Sequence, residues 1–290
     1  MIILIIYLNL LFFFKNLALI FKKTTAPIMK TILTASILSL TFFSFTEAEA
    51  RNELIDSYKS GQLEDSENIP FKYRYSQPAQ MEVGKVYPLL VFFHGAGGRG
   101  NDNKSQLKDA GGIEAFEKQS VRTKRKSHIF AGQVPKGERW VNRGWNLLGH
   151  KMPKISNSMK MAFKALDAYV ADKKNQIDPN RIYVMGLSMG GYGTWDAIQR
   201  RPGFFAAAVP ICGGGDKTLC TKISHLPIWA WHGEKDTVIK ASHSRNMIDA
   251  IRKAGGSPKY NEIKGRGHNS WIDAWNSKEL WDWLYSQEKK

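Results

Sequence analysis

Cysteine is scarce in this 290-residue chain: Cys212 and Cys220 are the only two. That excludes a small scaffold stapled by disulfides and a zinc site built on paired Cys-x-x-Cys ligands. No segment repeats at a fixed period, which excludes solenoids and propellers. Acidic residues are also few, 26 against 42 Lys and Arg, and the formal net charge is +16. Such a field favours anionic partners: nucleic acid, a membrane face or an acidic polymer. The rest is ordinary. Hydrophobic residues at 43% and charged residues at 23% exclude a disordered chain and supply a full core.

Residues 1–21 are apolar apart from Tyr7, Asn9, Lys15 and Asn16, which is long enough for a membrane span. After a polar break at Lys22, Lys23 and Thr24, a second pattern follows. Met29-Lys30 makes a short positive start, 31–45 an apolar run, and Ala48-Glu49-Ala50 an A-x-A cleavage site. This predicts a signal peptide at 29–50, with the residues before it an over-extended start. A retained anchor at 1–21 is the alternative, and only then is a membrane contact expected. No cysteine lies near the cleavage site, so a lipoprotein anchor is not expected. The expected organisation is a leader at 1–50, a polar arm at 51–67 and a single folded domain at 68–290, secreted or periplasmic. Without the leader the chain loses Lys15, Lys22, Lys23 and Lys30 together with Glu47 and Glu49, leaving +14. An oxidising compartment would suit a Cys212–Cys220 disulfide over Gly213-Gly214-Gly215; two free thiols are the other reading.

Along the remaining chain strands alternate with helices. Residues 71–75 alternate aromatic and basic side chains, as an edge strand with one wet face does. The run 87–93, YPLLVFF, suits a strand buried on both faces. Further strands are expected at 128–134, 182–185, 204–211, 228–231 and 259–263. Helices are expected at 159–170, 190–200, 242–254 and 279–287, with Asp178-Pro179-Asn180 as a break after the first. That order implies an α/β fold, a parallel sheet covered on both faces.

Gly186-Leu187-Ser188-Met189-Gly190 is G-x-S-x-G. An apolar strand runs into it and a helix-compatible stretch leaves it, which is the context of a nucleophile elbow. A serine hydroxyl needs a base to take its proton and a third group to orient that base. In this fold the partners follow as acid, then histidine. His268 stands in Gly265-Arg266-Gly267-His268-Asn269, directly after the last strand. His232 closes a strand and reads as packing; His225 and His243 read as surface positions. For the acid, Glu234 and Asp236 both leave the end of the preceding strand. An oxyanion hole needs two backbone N–H donors: Met189 after the nucleophile, and Ala96 or next Gly97 in the loop His94-Gly95-Ala96-Gly97-Gly98. His94 reads as an anchor for that loop. No G-K-[ST] follows these glycines, which speaks against phosphate binding.

HGAGGRG, IDPNRIYVMGLSMGGYGTWD, VPICGGGD, PIWAWHGEKDTV and GRGHNSW, in this order, resemble secreted α/β-hydrolases of the phospholipase/carboxylesterase and dienelactone-hydrolase-like group. These are also described as prolyl-oligopeptidase-like, and feruloyl and acetyl-xylan esterases are relatives. The resemblance covers residues 70–287. It implies an α/β-hydrolase fold with a mostly parallel sheet of about eight strands, no metal and no organic cofactor. It also implies Ser188 as nucleophile, Asp236 rather than Glu234 as acid and His268 as base. Residues 113–150 resemble the group least and are where pocket specificity is expected.

The expected function is a serine esterase acting through an acyl-serine on a small-molecule or polysaccharide ester, with no nucleic-acid partner. A serine peptidase shares the machinery, but long peptides usually call for an added gating domain for which 240 residues leave no room. A non-catalytic basic binding protein is the third class, and the intact Ser188, Asp236 and His268 argue against it. Trp140, Trp145 and Trp271 are the candidates for a ring-stacking pocket wall. Between residues 99 and 164 there are 15 Lys and Arg against five Asp and Glu, so most of the net charge lies between the oxyanion loop and the elbow. An anionic substrate would suit that field; a solvated basic surface is the plainer account.

Overall fold

The computed structural model describes residues 48–64, 69–118, 124–144 and 149–289. The signal-peptide pattern up to residue 47 and Trp145 lie outside the described residues. Residues 1–54 and 55–290 form separate compact units. Of the first, 48–54 are described and are helical. No helix among the described residues is long and apolar enough to cross a membrane.

The second unit is built on one eight-stranded sheet ordered β1-β2-β4-β3-β5-β6-β7-β8. The strands are β1 (Lys59–Glu64), β2 (Pro70–Ser76), β3 (Tyr87–Phe93), β4 (His128–Gly132), β5 (Ile177–Leu187), β6 (Ala207–Ile211), β7 (Trp229–Gly233) and β8 (Lys259–Ile263). From β4 to β8 all neighbours run parallel, while β2 is antiparallel to both β4 and β1. Every residue of β3 is buried, as its unbroken apolar run requires. Among the helices that concern the site and its support are α1 (Gly112–Glu117), α2 (Asn157–Ala171), α3 (Met189–Arg200), α4 (Ser242–Lys253), α5 (Trp271–Asn276) and α6 (Lys278–Tyr285). Ser156 caps α2, its Oγ accepting from Met159 N–H at 3.0 Å. That helix buries Met159, Met161, Ala162, Ala165, Leu166 and Tyr169 in the core.

Two expectations are corrected here. Within the expected arm, residues 55–64 belong to the domain: Ile55 and Tyr58 are buried, and β1 is the true edge of the sheet. Its sequence KSGQLE carries no apolar run because an edge strand is half wet, and Gly61 leaves room for the ring of Tyr73 directly opposite. A Cβ at Gly61 would come within 2.3 Å of that ring. Consequently β2, expected at the edge, lies one strand inside it. Asp178-Pro179-Asn180 also does not end an element. Tyr87 pairs with Ile177 and Leu89 already with Ile182, so the intervening residues bulge out of β5. Asp178 closes the bulge by accepting from Asn180 N–H at 2.9 Å and Arg181 Nε at 2.6 Å.

Candidate active site

The elbow is made by glycines where nothing else fits. A Cβ at Gly186 would sit 2.4 Å from Gly190 O, and one at Gly190 would sit 1.9 Å from Phe93 O. The backbone between them turns sharply enough to hold Ser188 at φ 55° and ψ −117°, a conformation disfavoured for a residue with a Cβ. Ser188 N–H donates to Ile211 O at 2.9 Å, pinning the turn to the end of β6. The side chain is thereby raised over the carboxyl ends of β5 and β6, where open α/β sheets place their sites.

His268 reaches it from the loop after β8. Gly233 allows that loop to close on β7: a Cβ there would be 2.0 Å from Gly267 O. Lys235 N–H donates to Arg266 O at 2.9 Å, and Arg266 is held by Asp273 through two bonds of 2.7 and 2.8 Å. So fixed, His268 places Nε2 2.9 Å from Ser188 Oγ and Nδ1 2.7 Å from Asp236 Oδ2. Glu234 points elsewhere, its Oε2 accepting from Gly265 N–H at 2.7 Å on the surface. Asp236 Oδ1 accepts from Val238 and Ile239 N–H at 2.8 and 2.9 Å. Burial pushes the Asp236 carboxyl up, but hydrogen bonds from His232, His268 and Ile239 N–H outweigh it and hold it well below the usual carboxylate range. An ionised carboxylate on Nδ1 leaves Nε2 free to accept the serine proton.

The second wall is the turn Ala96–Gly98. His94 anchors it: Nδ1 donates to Gly95 O at 2.6 Å while Nε2 accepts from Val134 N–H at 3.0 Å, which fixes the neutral tautomer. Burial, opposed by the bond to Gly95 and aided by Arg99, holds its pKa at about 4. Asp109 tethers the turn from outside by accepting from Gly95 N–H at 2.5 Å. The N–H of Met189 opens α3 and has no carbonyl one turn back, as at every helix start.

The tryptophans separate. Trp140 is fully buried, 4.5 Å from the Phe93 ring, and its N–H donates to His94 O at 3.0 Å. It is a floor beneath the Ala96 turn and not a pocket wall, because no face of the ring is left to a substrate. Trp271 stands edge-on to His268 at 5.4 Å and is half-buried. The disulfide is also corrected: both cysteines are free. The sulfurs serve different places. Cys220 points at Met247 O, whereas Cys212 lies with Asp236 and His268, their ligand-type atoms all within 4.8 Å. That is the metal-like donor set among the described residues, but Asp236 and His268 are already engaged with each other, and burial pushes the Cys212 thiol up, away from the thiolate a metal needs. Asp109 and His232 were not legible as site residues, since no motif spacing marks them, and Cys212 was singled out only as half of a disulfide.

Residues 130–231 match the prolyl oligopeptidase family. The crystal structure of a thermostable esterase superposes with a TM-score of 0.75 at 32% identity, covering 81% of this chain. The chain has the α/β-hydrolase fold. It spans 64% of the length of that esterase. The chain shares this fold with a ferulic acid esterase (17% identity, TM-score 0.57, 79% of this chain and 96% of that one). It shares it equally with Pyrococcus horikoshii acylaminoacyl peptidase (13% identity, TM-score 0.58, 81% and 42%). No curated protein sequence matches this chain.

Proposed function

We propose that this α/β-hydrolase is a serine esterase cleaving carboxylic esters through an acyl-Ser188 intermediate. The observation that carries the reading is His268, bonded to Ser188 Oγ at 2.9 Å and to Asp236 Oδ2 at 2.7 Å at once. Ser188 Oγ attacks the ester carbonyl as its proton passes to His268 Nε2. The carbonyl oxygen, now negative, is met by the N–H groups of Met189 and Ala96. His268 returns the proton to the departing alcohol, and water repeats the sequence on the acyl-serine to release the acid. Removing one donor from such a hole costs about 3–4 kcal/mol of transition-state stabilisation.

Ester rather than peptide substrates are favoured by the 32% identity to a thermostable esterase. The prolyl oligopeptidase match supports a peptidase as the second reading, since the acyl-serine chemistry is the same. Ester-decorated polysaccharide is the proposed natural substrate. The apolar run before Ala48-Glu49-Ala50 supports export to the periplasm or medium. Turnover of acetyl, feruloyl and short aryl esters, set against peptide anilides, tests the reading. Anilide cleavage without ester cleavage would replace esterase by peptidase.

A further inference from the structure

An ester in this site has three directions to fill. On the serine-esterase reading its leaving oxygen would face His268 Nε2, and its carbonyl oxygen the Ala96 and Met189 N–H groups. On the same reading the acyl chain would take the remaining side, where the first turn of α3 packs on the turn Gly213-Gly214 after β6. The wall on that side is made of rings. Tyr192 stands one helical turn after Ser188, its N–H donating to Ser188 O at 3.1 Å. His150 stacks on the Tyr192 ring at 5.6 Å and 29°, and His243 meets its edge at 6.0 Å. Gly214 is pressed against both, since a Cβ there would lie 3.0 Å from His243 Cβ and 3.2 Å from Tyr192 Cε1.

Two groups in this wall are short of partners. His150 Nδ1 is buried and has no hydrogen-bond partner among the described residues. Burial, followed by the nearby Arg143, holds His150 at a pKa of about 4, so the ring is neutral. Burial, then His232 and Arg143, lowers His243 as well. Arg143 donates Nη2 to Gly149 O at 2.7 Å, directly beside His150. No carboxylate among the described residues forms an ion pair with it. Asp216, the carboxylate that His150 feels, is committed to Met152 N–H at 2.9 Å and to Thr218. The Arg143 guanidinium, one residue stack away from Tyr192, has the donors that a carboxylate needs, and His150 Nδ1 adds one in the tautomer that carries its proton there.

We propose that Arg143 and His150 form a subsite for a carboxylate on the acyl part of the substrate, so that the preferred esters are half-esters of dicarboxylic acids or uronic-type acyl groups. The proposal rests on the serine-esterase reading. The basic excess of residues 99–164 then serves as a long-range field around a short-range site, and the two differ in what one substitution does.

The test compares the 4-nitrophenyl ester of glutarate, with its free carboxylate, against the same ester methylated at that carboxylate. Ser188→Ala protein supplies the blank for spontaneous hydrolysis. The expected result is a kcat/KM ratio, charged over neutral, that falls about tenfold in Arg143→Gln, the effect of one charge-assisted contact. Arg143→Lys should keep part of the ratio, and His150→Phe, which preserves the stack on Tyr192, should lower it. Lys160→Gln removes an exposed cation of the same basic stretch and should leave the ratio where it was. An equal fall in Lys160→Gln would make the effect a diffuse field and overturn the subsite, as would an unchanged ratio in Arg143→Gln. Wild-type protein that cleaves the methylated ester with no preference for the charged one overturns the subsite and leaves the esterase reading standing. Wild-type protein inert to both overturns the two together.

Discussion

Asp236 Oδ2 lies between two histidines, 2.7 Å from His268 Nδ1 and 3.3 Å from His232 Nε2. His232 is fully buried, and its Nε2 is also 2.8 Å from Ile239 O. Two acceptors face that nitrogen, so it carries a proton, and it steadies the same oxygen that orients His268. On the far side His232 Nδ1 meets Ser244 Oγ at 2.7 Å. The packed strand-end histidine is therefore a positioning residue for the acid.

His232→Leu should lower kcat by about tenfold with KM little changed, the loss of one hydrogen bond to a charged group. Gln at this position, which keeps an amide donor, should restore part of it. A change confined to stability, with kcat intact in the folded fraction, would reduce His232 to packing. Asp236→Asn should be harsher, about 10⁴ in kcat on a folded protein, because the asparagine favours the wrong tautomer of His268.

Stability should depend on pH through His94. The unfolded chain takes a proton there below pH 6.5, whereas the folded one refuses it until about pH 4. Stability is thus full above pH 6.5 and is lost as pH falls from 6.5 toward 4, by about 3 kcal/mol in all. His150, also held at about 4, adds to the loss in the same direction. Urea unfolding at pH 7.0 and 4.5 measures it; a free energy that does not drop over that interval contradicts a neutral buried His94.

Gly190 cannot tolerate a methyl group. Its Cβ would meet the carbonyl of Phe93 at 1.9 Å, and both partners are backbone. Gly190→Ala should cost about 3 kcal/mol or more, in the range of severe overpacking, and should distort the elbow even in the folded fraction. Thermal unfolding within a degree or two of wild type would show that the turn is looser than these contacts imply.

Trp140 and Trp271 should part company when truncated. Trp140→Ala removes a fully buried ring and its bond to His94 O, and should cost about 3–5 kcal/mol of stability. Trp271→Ala, beside His268, should lower kcat/KM with little loss of stability. The reverse pattern would move the substrate wall to the other side of the site.

The elbow and the His268 loop were legible in the sequence because glycine spacing, an apolar strand and chain order coincide there. The parallel sheet was legible for the same reason, with β3 and β5 reading as buried runs. What was missed has physical causes. β1 is polar because it is an edge, so its strand character shows only in its pairing with β2. The Asp178-Pro179-Asn180 bulge carries the same residues as a chain break. Glu234 and Asp236 were separated by the resemblance, and in the structure by direction: one side chain turns to Gly265, the other to His268. Cys212 and Cys220, eight residues apart, suited a bridge in sequence, yet their sulfurs face Asp236 and Met247 respectively. Trp140 lay in the stretch that resembles the group least but fills the floor under His94, and nothing in spacing distinguishes a floor from a wall.

The most direct test of an acyl-serine enzyme is covalent. A fluorophosphonate probe added to the whole protein should label Ser188 alone, stoichiometrically, and labelling should abolish ester turnover in step. Ser188→Ala protein should neither label nor turn over ester. Undiminished hydrolysis by Ser188→Ala, or a probe adduct on another residue, contradicts the account.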